Sequence, residues 1–136
     1  MHFSSIMVIR CGDDNYSPNC SLAKCFQDIL SREMATIHFL PGGGFGASLE
    51  FLKSECRKLW QGRIEKAKVL GIKKVLLIDH MPCGAYEIEF GKITQEEEKE
   101  LHLENIEAAR QFFKENSGLE FIAYLQIGED KYEKIC

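Results

Sequence analysis

Cys11, His80 and Cys83 are soft metal ligands, and each falls at the end of a strand-like apolar run. Ile6-Met7-Val8-Ile9 leads to the first, and Val75-Leu76-Leu77-Ile78 leads to His80-Met81-Pro82-Cys83. Open α/β sheets bind ligands at the carboxyl ends of their strands, so a thiol from one strand end and an imidazole and thiol from another can converge on one ion. Ligands of that type suit zinc and leave a fourth position for water. Taken singly, the same residues read as two buried thiols and a hydrogen-bonded histidine; their joint placement favours zinc.

The elements that must position these residues follow from periodicity. Ser5 to Arg10 has a continuous apolar run, the pattern of a strand covered on both faces. After a loop from Gly12 to Asn19, a helix is expected from about Ser21, with Leu22, Phe26, Ile29 and Leu30 at helical spacing. Ala35 to Leu40 reads as a second strand, stopped by Pro41-Gly42-Gly43-Gly44. From Ser48 to Leu70 the pattern is helical, with Leu49, Leu52, Leu59, Ile64, Ala67 and Leu70 on the inward face and Gly71 as the stop. Lys74 to Asp79 is the third strand. Thr94 to Asn116 is an amphipathic helix with Leu101, Ile106, Ala109 and Phe113 inward, and Phe121 to Ile127 is the fourth strand. Lys131 to Ile135 is able to add a short edge strand. This alternation implies an α/β fold: a three-layer, open, mostly parallel sheet of four to five strands with helices on both faces. Right-handed crossovers favour the order 2-1-3-4, with strands 1 and 3 adjacent at the reversal point.

A chain of 136 residues, 45% hydrophobic and 28% charged, is expected to form a single domain over residues 1–136. Its formal charge of -4 gives no electrostatic reason for a nucleic-acid partner. No run approaches the roughly 20 apolar residues that span a bilayer, and Met1-His2-Phe3-Ser4-Ser5 has no basic leader, so no membrane partner and a cytoplasmic location are expected. Six cysteines in such a setting are expected to be reduced, buried or metal-bound. Cys20, Cys25, Cys56 and Cys136 are assigned to small apolar or surface positions.

The segments Cys11-Gly12-Asp13 and His80-Met81-Pro82-Cys83-Gly84-Ala85 resemble the paired signatures of the β-class carbonic anhydrases, Cys-x-Asp-Ser-Arg at the first strand end and His-x-x-Cys-Gly at the third. The resemblance extends to Pro41-Gly42-Gly43 and to Leu70 through His80, and covers roughly Ile6 to Tyr132. It implies that Cys11, His80 and Cys83 ligate Zn2+ and that Asp13 is the acidic catalytic residue beside the metal, orienting the nucleophile toward its substrate. Gly84 would let backbone approach the site and supply an amide to the substrate. The implied reaction is reversible hydration of carbon dioxide to bicarbonate, or a related hydrolysis of carbonyl sulfide or carbon disulfide, by a homodimer or higher homo-oligomer.

Two departures from the pattern bear on activity. Where the family has Ser-Arg after the aspartate, this chain has Asp14-Asn15, and a neutral asparagine cannot supply the charge that holds Asp13 away from the metal. Asp13 is then able to close the site as a fourth ligand, giving a non-catalytic zinc protein. Strand 1 also begins almost at Met1, where family members carry a helical arm that packs on a partner subunit. Elsewhere the plainer readings are preferred. For Asp13 and Asp14 a loop or helix-capping role weighs evenly against a role in the site, and the glycine loop is read as a tight turn. Glu96-Glu97-Glu98 is a solvated first turn, His38 and His102 are structural or surface residues, and Trp60 with Leu59 is core or dimer contact.

Overall fold

The apolar run Ile6–Arg10 forms strand β1, and the second such run forms β2 over Lys74–His80. These two lie side by side in parallel, Ile6 opposite Lys74 and Arg10 opposite Ile78. Strand β3, Glu120–Gly128, pairs in parallel with the other edge of β2, and β4, Lys131–Lys134, returns antiparallel along β3. The result is an α/β protein with a mixed four-stranded sheet of order β1-β2-β3-β4 among the described strands. The computed structural model describes residues 6–10, 21–33, 48, 54–128 and 131–136. The strand expected at 35–40, second in the anticipated 2-1-3-4 order, lies outside them.

Helices are α1 (Ser21–Arg32), α2 (Ser54–Val69), α3 (Gly84–Phe90) and α4 (Gln95–Asn116). Side chains alternate across a strand, so each strand contributes to two separate cores. Met7, Ile9, Val75, Leu77 and Ala123 pack with Trp60, Ile64 and Ala67 of α2 and with Ile106, Ala109 and Phe113 of α4. Ile6, Val8, Leu76, Ile78 and Ile122 pack instead with Ile29 and Leu30 of α1 and Tyr86 of α3. β2 is central, buried from Val75 through His80, which accounts for its unbroken apolar sequence.

The inward face of α2 differs from expectation. Trp60, Ile64 and Ala67 are buried, whereas Leu59 is 54% and Leu70 58% exposed. Residues at positions i, i+4 and i+7 share one stripe, and Leu59 sits about 100° away from Trp60 around the helix. Leu70 lies beyond the helix end, at a stop built as a Schellman motif. Ile72 N–H donates to Ala67 O at 3.0 Å, Gly71 N–H donates to Lys68 O at 3.0 Å, and Ile72 and Ala67 share the core. Gly71 holds φ +80°, with open space where a Cβ would stand, so Gly71→Ala is expected to cost about 1 kcal/mol from backbone strain alone, read as a shift in urea midpoint at unchanged m-value.

α4 begins on a capping box. Thr94 Oγ1 accepts from Glu97 N–H at 3.1 Å, and the Glu97 carboxylate accepts from Thr94 N–H at 3.2 Å. α3 has no counterpart in the sequence reading, because seven residues are too few to display a period; its legible trace is the i,i+4 pair Tyr86 and Phe90, whose ring centroids are 5.6 Å apart.

Candidate functional site

β2 ends in two polar residues that are almost wholly enclosed, Asp79 and His80, each 1% exposed. The chain then turns through Met81 and Pro82, joined by a cis peptide, and reaches Cys83, 3% exposed, at the N-cap of α3. Hydrogen bonds tie this turn to three separate elements. Met81 N–H donates to Gln126 O of β3 at 2.7 Å, and Cys83 O accepts from the amides of Tyr86 at 3.1 Å and Glu87 at 3.2 Å in α3. The Cys83 amide donates to the Glu98 carboxylate of α4 at 3.2 Å.

Glu98 opens a buried polar network. His102, one turn along α4, donates from Nε2 to Glu98 Oε2 at 3.0 Å and from Nδ1 to Asp79 Oδ2 at 2.6 Å. Asp79 also accepts from the Ser48 amide at 3.0 Å and from the Ser48 hydroxyl. Tyr86 stacks on His102 with centroids 3.8 Å apart, its hydroxyl in contact with Ser48 and accepting from Asn105 Nδ2 at 2.9 Å. Charged side chains are seldom buried unless paired and hydrogen-bonded, and this set satisfies that condition.

Burial alone would push the His102 imidazole down, but hydrogen bonds from it to Asp79 and Glu98, and the charges of those carboxylates, raise it from 6.5 to about 8. At neutral pH it is therefore mainly an imidazolium between two acids. Burial and the Asp79 charge push the Tyr86 phenol far above its ordinary value, so it stays protonated. The network is a fixed scaffold rather than a nucleophile and its base: Ser48 is fully enclosed and its hydroxyl contacts Asp79, not His102.

An open cavity of about 590 Å³ lies beside the turn, with Cys83, Gly84, Glu87, Lys92, Gln95 and Glu98 among its walls. Gly84, expected near a substrate, is exposed at its edge. Of the other expected site residues, Cys11 and Asp13 lie outside the described residues, as do Asp14, Asn15, His38, Cys20 and the glycine loop. Cys25 is buried, Cys56 partly exposed and Cys136 exposed, and the described cysteines form no disulfide. Arg63 lies with its guanidinium 4.5 Å from the Trp60 ring centroid. No helix among the described residues is long and apolar enough to cross a membrane.

His80 and Cys83 make a donor pair chemically suited to zinc, one imidazole and one thiol. Among the described residues no three His, Cys, Asp or Glu side chains gather into a metal-holding group, so a three-ligand set needs a further residue. One sequence expectation is corrected here: Glu98 is not part of a solvated turn but 8% exposed. Of the two readings of His102, structural or surface, the structural one holds, at 1% exposure. The available signal was their spacing: Glu98, His102, Asn105 and Ala109 continue one stripe at i, i+4, i+7 and i+11. No known protein-family model matches this sequence, and no curated protein matches it.

Proposed function

We propose that the chain is a cytoplasmic zinc lyase of the β-carbonic-anhydrase kind, with Cys11, His80 and Cys83 as ligands, hydrating carbon dioxide reversibly or hydrolysing a related small molecule such as carbonyl sulfide. The observation that carries this reading is the enclosure of His80 and Cys83 at the carboxyl end of β2, directly beside β1. β1 runs parallel to β2 and its last residue, Arg10, pairs with Ile78, so the carboxyl ends of the two strands lie at the same end of the sheet. In this reading the 35–40 strand flanks β1, completing the 2-1-3-4 order and a three-layer fold, and the protein acts as a homo-oligomer.

Bound zinc would supply acidification of a water to a pKa of about 7. The protein's own contributions are positional. The hydrogen-bonded turn after β2 would fix the backbone that carries imidazole and thiol, and Asp13 would accept a hydrogen bond from the nucleophile and orient it. Gly84, without a Cβ, lets substrate approach the backbone from the adjoining cavity. Stopped-flow hydration of carbon dioxide, on protein whose zinc content is verified in the same sample, tests the proposal. Turnover that rises with pH and vanishes on chelation is expected. Its absence from fully zinc-loaded protein removes carbonic anhydrase activity.

Asn15 favours one alternative, a non-catalytic zinc protein in which Asp13 closes the coordination sphere. Asn15→Arg separates the two: a marked gain in hydration is expected if the missing charge alone limits an otherwise competent site.

A further inference from the structure

Of the hydrogen bonds described above for the Met81–Cys83 turn, the one from Glu98 comes from a side chain, which can be altered without rewriting the backbone. Met81 is held by a main-chain carbonyl of β3, and the Cys83 carbonyl by main-chain amides of α3. The Cys83 amide is held by the carboxylate of Glu98, from a helix 15 positions away in sequence. That carboxylate is not left to choose its rotamer. His102 Nε2 meets the same oxygen, Oε2, that accepts from Cys83, and His102 Nδ1 is anchored on Asp79, the residue immediately before His80. The path therefore runs from the strand residue beside one ligand candidate, through an imidazole, to the backbone of the other.

We propose that Glu98 is a positioning residue for the metal site, with His102 and Asp79 as its brace, setting the Cys83 thiol relative to His80. The inference rests on reading His80 and Cys83 as zinc ligands. Carboxylates and imidazoles behind a ligand shell commonly change metal affinity by 10–100-fold when removed. Here the mechanism is specific: what matters is an acceptor oxygen at the reach of Glu98, not its charge. Glutamine preserves the reach and can offer its amide oxygen to both the Cys83 amide and His102. Aspartate preserves the charge and, one methylene shorter, withdraws from Cys83.

Zinc affinity by competition with a chromophoric chelator, the absorption of the cobalt-substituted protein and the hydrogen exchange of the Cys83 amide together test this. Expected are a slowly exchanging Cys83 amide in the wild-type protein, affinity within about threefold of wild type for Glu98→Gln, and a loss of about tenfold or more, with an altered thiolate-to-cobalt band, for Glu98→Asp. A folded Glu98→Asp that keeps wild-type affinity, a folded Glu98→Gln that loses tenfold, or a rapidly exchanging Cys83 amide in the folded wild-type protein overturns the positioning role. Wild-type protein that takes up no zinc overturns the functional reading and this role with it. Zinc uptake insensitive to Glu98→Asp overturns the positioning role alone.

Discussion

His102→Leu is expected to destabilise the protein by about 3–5 kcal/mol, a large part of what a domain of this size has to lose. The imidazole is 1% exposed and donates to Asp79 at 2.6 Å and to Glu98 at 3.0 Å. Leucine of similar bulk keeps the space filled but leaves two enclosed carboxylates facing an apolar group. Removing one partner of a buried charged set costs far more than the set contributes relative to a wholly apolar core, because the remaining charges stay desolvated. The urea midpoint checks the magnitude.

The pH dependence checks the cause. The folded-state value of His102 is raised from 6.5 to about 8, so its contribution is fully present below pH 6.5 and is lost as pH rises through 8. A shift of that size corresponds to roughly 2 kcal/mol, and wild-type stability should fall by about that much between pH 6.5 and 9. His102→Leu should lack this fall. An unchanged pH slope in the variant would place the linkage on other groups.

Under the proposed zinc reading, Cys83→Ser is expected to lose most bound zinc, an effect on function that among the described residues only the other proposed ligand, His80, would match. Serine replaces a soft sulfur that ionises readily with a hydroxyl that remains protonated near neutral pH, and a zinc site reduced to fewer ligands binds poorly. The position is 3% exposed among Ile78, Tyr86 and other apolar neighbours, so a modest loss of stability accompanies the change. Metal analysis after dialysis, with circular dichroism on the same samples, separates the two effects. Cys56→Ser on α2, a partly exposed position, should retain the wild-type zinc content. Full zinc stoichiometry in folded Cys83→Ser would remove Cys83 from the ligand set, whatever the activity measurements show.

The buried acids illustrate where sequence reasoning stops. In Glu96-Glu97-Glu98, the first is exposed, the second closes the capping box with Thr94, and the third turns about 100° further into the protein. The charge run is uniform in composition, so it reads as solvated. Its last member separates from the others only once the phase of α4 is fixed by Ile106, Ala109 and Phe113. Even then the stripe names no partners. Asp79 lies 23 positions from His102, and Ser48 lies 31 from Asp79, and such distances are closed only by the packing of α4 and of Ser48 against the end of β2.

What the sequence determined by itself is the set of elements whose local pattern agrees with their environment. β1 and β2 are unbroken apolar runs because they are buried on both faces; α4 starts at a capping box; α2 stops at Gly71, where only glycine takes φ +80° without strain. The register of β1 on β2 and of β2 on β3, the exposure of Leu59, and the helix at Gly84–Phe90 were decided by tertiary structure. So was the conversion of an acid and a histidine on α4 into a brace beneath Cys83. The physical reason is common to all of these. Turn chemistry and periodicity are short-range, whereas burying a charge is tolerable only where distant groups arrive to satisfy it, and that arrival is a property of the assembled core.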